Sequence, residues 1–249
     1  WKWLLELESK WGRHLVLGSG SLSRFWKLEE LSEKPVEVPE LIPDDIRDNA
    51  TIQDDRRVRF DTIESELGQQ DLIRLLKHAG GPRLLILNTV QSAAVLASAL
   101  AEQSGRNKVE HLSTALCPRD RKTTLERVKR RLKDSNDDDW TLVATSCVEA
   151  GVDLSFRTGF RESCSLNSLI QLGGRINREG KYNDSNVWDF RLRAEGLIKL
   201  HPAFQTSARV LAELFMENKV NAKASTESMR REIRNYGGLR KVSDSILTS

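Results

Sequence analysis

An alternation of apolar runs with helical stretches constrains this chain most. Leu84–Leu87 is a continuous apolar run behind Gly80-Gly81-Pro82, the pattern of a strand buried on both faces. Arg56–Phe60, Val109–Leu112, Thr141–Thr145 and Val187–Phe190 read as further strands. Between them lie helical stretches. Glu64–His78 offers Leu67, Leu72, Leu75 and Leu76 for burial, and Gln91–Gln103 is rich in Ala and Leu. Arg119–Lys133 places Leu125, Val128 and Leu132 on one side, and Leu166–Leu172 begins another helix. Strands alternating with helices of about ten to fifteen residues predict an α/β fold, a parallel sheet with helices on both faces. Ala208–Met216 and Ser225–Asn235 read as terminal helices.

Composition narrows the function classes. With 249 residues, 39% of them hydrophobic, the chain suits a large domain or a domain and a half, and excludes disorder or coiled coil as a description of the whole. No apolar run approaches the length of a membrane span, and no secretory leader is visible at Trp1. Cys117, Cys147 and Cys164 form neither a CxxC pair nor a group with nearby His. A disulfide framework and a metal site are therefore not expected, and a reduced, cytoplasmic compartment is.

The net charge of +3 conceals segregation: residues 28–71 carry 14 acidic and 5 basic side chains, whereas Arg119–Lys133 carries eight basic and two acidic ones. A basic half suggests a polyanion partner held through phosphates; solvated helix faces are the plainer account. The amino end is unusual in a different way. Trp1, Trp3, Trp11 and Trp26 crowd into a stretch too short to bury them, which suggests a piece of a domain lying mainly upstream. Trp1–Ser9 reads as a helix end, His14–Gly18 as a short strand, and residues 33–55 as an acidic, Pro-bearing connector with Val36–Val38 as a possible strand.

Three loops carry chemistry, and open parallel sheets collect ligands at the carboxyl ends of their strands. Asn88-Thr89 follows the buried run and precedes a helix, where amides and a hydroxyl could hold a phosphate; both residues are equally ordinary N-caps. Ala144-Thr145-Ser146-Cys147-Val148-Glu149-Ala150-Gly151-Val152-Asp153 combines two hydroxyls and two carboxylates with a glycine, which permits close backbone approach, and its Asp153 could accept from a ribose; read in isolation, its end is a turn before a short strand. The third, Gln171-Leu172-Gly173-Gly174-Arg175-Ile176-Asn177-Arg178, spaces two arginines to share one face of a helical turn. It suggests a clamp on a transferring phosphoryl group, with the paired glycines admitting that group to the backbone; a solvated helix end with a glycine C-cap is the plainer account.

In this order, LLILNTVQSA, VATSCVEAGVDLSF and SLIQLGGRINREG resemble helicase motifs IV, V and VI of superfamily 2. More closely they are similar to the second RecA-like domain of the CRISPR-associated helicase–nucleases of type I systems. HLSTALCPRDRKTTLERVKRRL and HLVLGSGSL also resemble that family, the latter as motif III, although Gly18-Ser19-Gly20-Ser21 stands where Ser-Ala-Thr is usual. Leu172 replaces a frequent basic residue, and Arg157 stands where relatives tend to be acidic. The resemblance covers about residues 12–190. It implies a remnant of the first RecA-like domain over 1–32, an acidic linker over 33–55, the second RecA-like domain over 56–192 and a helical extension over 193–249.

The same resemblance implies the roles. Arg175 and Arg178 would be arginine fingers on the γ-phosphate of ATP, with Gln171 positioning them or the attacking water. Gly151, Asp153 and Gly174 would face the nucleotide, and Asn88, Thr89, His111, Ser113, Thr145 and Ser146 a single DNA strand. Mg²⁺ would be held mainly by the first RecA-like domain. That domain, a nuclease domain and a CRISPR surveillance complex are the implied partners; a membrane is not. No GxxxxGK[ST], DExH or His-Asp occurs in the chain, so half a motor, inactive alone, is expected. Two alternatives stay open: a non-catalytic nucleic-acid-binding or docking module, and the same half of a superfamily 2 helicase acting on RNA.

Overall fold

The computed structural model describes residues 10–12, 14–18, 23–31, 37–148 and 153–236. Its centre is a six-stranded, wholly parallel sheet of β1 (Arg59–Thr62), β2 (Arg83–Leu87), β3 (Val109–Leu112), β4 (Thr141–Thr145), β5 (Thr158–Glu162) and β6 (Asn186–Phe190), ordered β1-β6-β5-β2-β4-β3. Seven α-helices are described: α1 (Asp44–Arg57), α2 (Gln69–His78), α3 (Val90–Ser104), α4 (Pro118–Lys133), α5 (Leu166–Gly173), α6 (Gln205–Met216) and α7 (Ser225–Asn235). Every residue of β2, β4 and β5 is buried, because helices cover both faces.

The two-residue period of the strands divides the core. Leu84, Ile86, Leu142 and Ala144 pack with Val128, Leu169, Leu172, Val210, Leu211 and Leu214 on one face. Leu85, Leu87, Val143 and Phe160 pack with Leu72, Ile73, Leu76, Leu96 and Leu100 on the other. The continuous apolar strand that marks a parallel sheet in sequence is thus a strand feeding two cores at once.

Several boundaries differ from the sequence expectation, each for a local reason. Leu67 lies before α2, in an isolated bridge to Leu192, and Leu75 is exposed, so the buried face of α2 is Leu72, Ile73 and Leu76. The strand after Asp153, unbounded in the sequence, is β5. His14–Gly18 is irregular and exposed rather than a strand; no pairing partner holds it among the described residues. Part of the expected connector is the helix α1, while residues 37–40 are irregular. Trp26 and Leu28 are buried, and their stretch is pinned to α7: Ser23 Oγ donates to Ser225 O at 3.2 Å, and Thr226 Oγ1 accepts from Arg24 N at 2.9 Å. The expected helix end at Trp1–Ser9 and Ser19–Ser21 of the motif III stretch lie outside the described residues. No described helix is long and apolar enough to cross a membrane.

Candidate functional site

The third loop does not sit on a helical turn. α5 ends at Gly173, and Gly174 caps it in right-handed conformation (φ −63°, ψ −9°), so Arg175 and Arg178 stand beyond the helix. Nor is this a loop at a strand's carboxyl end. α5 runs back against the strand direction, so its end returns to where β5 begins. There Ile176 bridges Phe156: Phe156 N donates to Arg175 O at 2.9 Å, and Asn177 N donates to Phe156 O at 2.7 Å. The backbone bridge, not a helical period, therefore sets how the arginines are presented.

Asn177 makes the turn between them. It is buried, at φ 48°, a left-handed conformation that Asn tolerates better than most side chains. Its Oδ1 accepts from Tyr182 N at 3.0 Å, and its Nδ2 donates to Tyr182 O at 2.6 Å and Arg57 O at 3.1 Å. Arg57 returns the contact by donating to Gly173 O at 3.3 Å and to Ile176 O, which satisfies carbonyls freed by the helix end. Arg157 closes the loop from the far side, pairing with Asp184 at 2.8 Å with its guanidinium 5.3 Å from the Tyr182 ring. Arg57, Ser155 and Asn177 were missed in the sequence; an Asn set between two site arginines was the available signal.

Gln171, Gly174, Arg175, Arg178 and Asp153 come together here. Half-buried Arg175 donates from Nε to Val148 O at 2.6 Å and from Nη1 to Gln171 O at 3.2 Å, which ties the loop after β4 to the end of α5. Arg178 N donates to Ser155 Oγ at 3.1 Å, and its guanidinium meets Asp153 at 2.7 Å, both side chains more than half exposed. Gln171 and Gly174 are exposed on the same turn. Gly151 lies outside the described residues. The glycine pair divides in function: a Cβ on Gly173 would stand 2.6 Å from Phe60 Cζ, so Gly173 serves packing, whereas one on Gly174 would meet nothing nearer than 3.4 Å.

The residues expected along a nucleic-acid strand stand side by side at the carboxyl ends of the adjacent strands β2, β4 and β3, but their side chains are mostly engaged. Asn88 belongs to a buried polar network: its N donates to Glu162 Oε2 at 2.7 Å, its Nδ2 to Ser163 O at 3.0 Å, and its Oδ1 accepts from Arg161 at 2.7 Å. Ser163 Oγ and Thr62 Oγ1 complete the network by donating to Asp189 at 2.7 and 3.2 Å. Burial pushes the Asp189 carboxyl up to about 6, against the pull of Ser163, Thr62, Arg161 and Arg191, and pushes Glu162 up as well. Thr89 is the N-cap of α3, accepting from Ser92 N at 3.0 Å, and Lys199 N and O bond to Ser92 over that helix start. At the ends of β3 and β4, His111 Nε2 lies 3.1 Å from the buried Ser113 Oγ, and buried Thr145 lies 3.5 Å from Cys147 Sγ. Burial holds His111 below its ordinary range, partly countered by the main chain of Val143. Ser146 alone of these is exposed.

Residues 79–181, which contain almost all of these positions, match the family model for the C-terminal part of the CRISPR-associated nuclease/helicase Cas3. This segment is Cas3-like. The Cas3 of Haloferax volcanii is 51% identical over 39 residues, which make up 16% of this chain and 4% of that protein. The crystal structure of T. fusca Cas3-ADP superposes with a TM-score of 0.56 at 11% identity, covering 84% of this chain and 27% of that one. A chain of a CRISPR RNA-guided surveillance complex in a pre-nicking state gives 0.53 at 14% identity, covering 69% and 24%. At such identities these structures establish the fold: a RecA-like sheet of the kind found in the Cas3 helicase C-terminal domain. The chain spans about a quarter of each solved chain and far less of the curated relative it matches.

Proposed function

We propose that this chain is the second motor domain of an ATP-driven superfamily 2 DNA translocase of CRISPR interference. The carrying observation is the bridge of Ile176 to Phe156, which sets Arg175, Arg178, Gln171 and Asp153 around one open turn. A triphosphate substrate fits such a turn chemically. It needs cationic donors in reach of solvent, and Gly174 leaves outward space that a Cβ would fill. Arg175 and Arg178 neutralise charge developing on the γ-phosphoryl group, and Gln171 orients the arginines or the attacking water. Arg178 leaves Asp153 to do so, which frees that carboxylate, with Gly151 and Gly174, for the nucleotide side of the cleft. Mg²⁺, held mainly by the first RecA-like domain, would supply charge neutralisation between phosphates.

Asn88, Thr89, His111, Ser113, Thr145 and Ser146 follow single-stranded DNA in this reading. Because their side chains are largely engaged, the grip comes chiefly from main-chain groups and Ser146, and reads no sequence. Residues 1–32 then belong to the preceding RecA-like domain, 33–55 to a linker, 56–192 to this domain and 193–249 to its extension. A nuclease domain and a CRISPR surveillance complex in the cytoplasm are the proposed partners.

The test is single-strand-stimulated ATP hydrolysis by this chain joined to its first motor domain. Arg175→Ala should lower turnover by about 10³–10⁵ while leaving strand binding intact. Equal loss of binding and turnover would falsify the finger role, as would efficient turnover by this chain alone.

A further inference from the structure

The fold uses only one side of the basic helix α4. Val128 and Thr124 are buried against the sheet, and the arginines nearest them are engaged. Arg127 pairs with Glu110 at 2.6 Å. Arg131 pairs with Glu110 at 3.3 Å and Asp137 at 2.7 Å while lying 4.4 Å over the Trp140 ring. Arg121 donates to Leu116 O at 3.3 Å. Arg119, Lys122, Lys129, Arg130 and Lys133 do none of this. They are exposed and form no ion pair among the described residues. At 3.6 residues per turn they share an arc of about 100° with a single carboxylate, Glu126, along a ridge about 21 Å long. Asp120 and Asp134 stand at its two ends. Like charges a turn apart weaken a helix, and of the five only Arg130 and Lys133, in the last turn, return anything to the fold, through the helix dipole.

The character of the ridge selects its partner. No large apolar side chain is exposed on α4, since Leu125 and Leu132 turn into the core, whereas the buried core of a protein interface is typically apolar and depleted of Lys. Neither does α4 carry an aromatic on which unpaired bases could stack. What remains is a row of cations on the flank of β3, the sheet's edge strand, suited to phosphates held at regular spacing. We infer that this ridge binds duplex DNA through its backbone, independently of sequence. The choice of DNA over RNA rests on the motor reading above; the assignment to a duplex does not.

The experiment is fluorescence anisotropy of the full chain with a labelled DNA duplex of about two helical turns. With five phosphate contacts, affinity should fall about 500-fold between about 50 and 200 mM salt. Replacing Lys122, Lys129 and Lys133 by Gln, which matches Lys in helix propensity, should reduce that fall to about tenfold with an unchanged circular-dichroism spectrum. Arg at the same positions should restore it. A triple variant that keeps the full salt dependence overturns the proposal. So does a single strand binding as tightly as the duplex, or polyglutamate displacing the DNA at equal charge. A duplex RNA that binds more tightly than DNA overturns the choice of DNA. Arg175→Ala should leave duplex binding unaltered. Loss of the turnover prediction with the salt dependence intact therefore removes the motor reading and leaves the ridge, and the reverse result removes the ridge alone.

Discussion

At the carboxyl ends of β5 and β6, Arg161, Glu162, Ser163 and Asp189 are each at most 8% exposed and bond among themselves and with Asn88 and Thr62. At the turn after α5, Arg178 and Asp153 use the same chemical groups but pair in the open, Asp153 at 83%, beside a half-buried Arg175 held by main-chain carbonyls. The difference lies in what each group would lose by letting go. A buried polar group that gives up its partner costs about 1–3 kcal/mol, more when charged. An exposed ion pair is worth at most about 1 kcal/mol and exchanges readily for a ligand or water. The first cluster is therefore part of the fold, and the second is available for chemistry.

The contrast can be broken experimentally. After the turnover loss expected for Arg175→Ala, the largest effect should come from Arg161→Met. It keeps the side-chain bulk but strips the buried Glu162 and Asn88 of their cation, and should cost about 3–5 kcal/mol of stability by urea denaturation. A loss below about 1 kcal/mol would mean that this cluster is as open as the other.

Asp189 gives a pH signature. Its folded-state carboxyl titrates at about 6 against an ordinary value of 3.8, so between those values the folded chain holds more proton than the unfolded one. Its contribution is thus full at low pH and lost as pH rises through about 6, in total roughly 3 kcal/mol. Asp189→Asn should flatten the stability profile between about pH 4 and 6 relative to the parent. An identical slope in both proteins would place the carboxylate in water. The smallest effect should be that of Asp153→Ala, which removes an exposed pair and should shift stability by less than about 0.5 kcal/mol, read as an almost unchanged melting temperature.

Much of the architecture was legible because burial on two faces leaves a one-dimensional trace. Leu84–Leu87 and Thr141–Thr145 are continuous apolar or small-residue runs, and the structure places them in adjacent central strands in register. The charged buried network left no such trace. Arg161, Glu162 and Asp189 look like surface residues by type, and only the meeting of β5, β6 and the end of β2 makes them interior. The motif of Gln171, Gly174, Arg175 and Arg178 was visible as spacing, but its assumed helical presentation was not what forms. The need for glycine at 173, the last residue of α5, comes from Phe60 packing where a Cβ would otherwise sit, a contact from more than a hundred residues away.

What the sequence alone determined is the parallel α/β layering and the basic character of α4, each written in local periodicity or composition, together with a motif order that resembles that of Cas3. Tertiary structure alone decided which polar residues are free. It ties Asn88 to Glu162 and Thr89 to Lys199, turns Arg127 and Arg131 toward Glu110, and leaves Arg178 and the outer ridge of α4 in water. The physical reason is that a side chain's availability depends on partners and solvent access supplied by distant segments, and those come together only when the sheet closes.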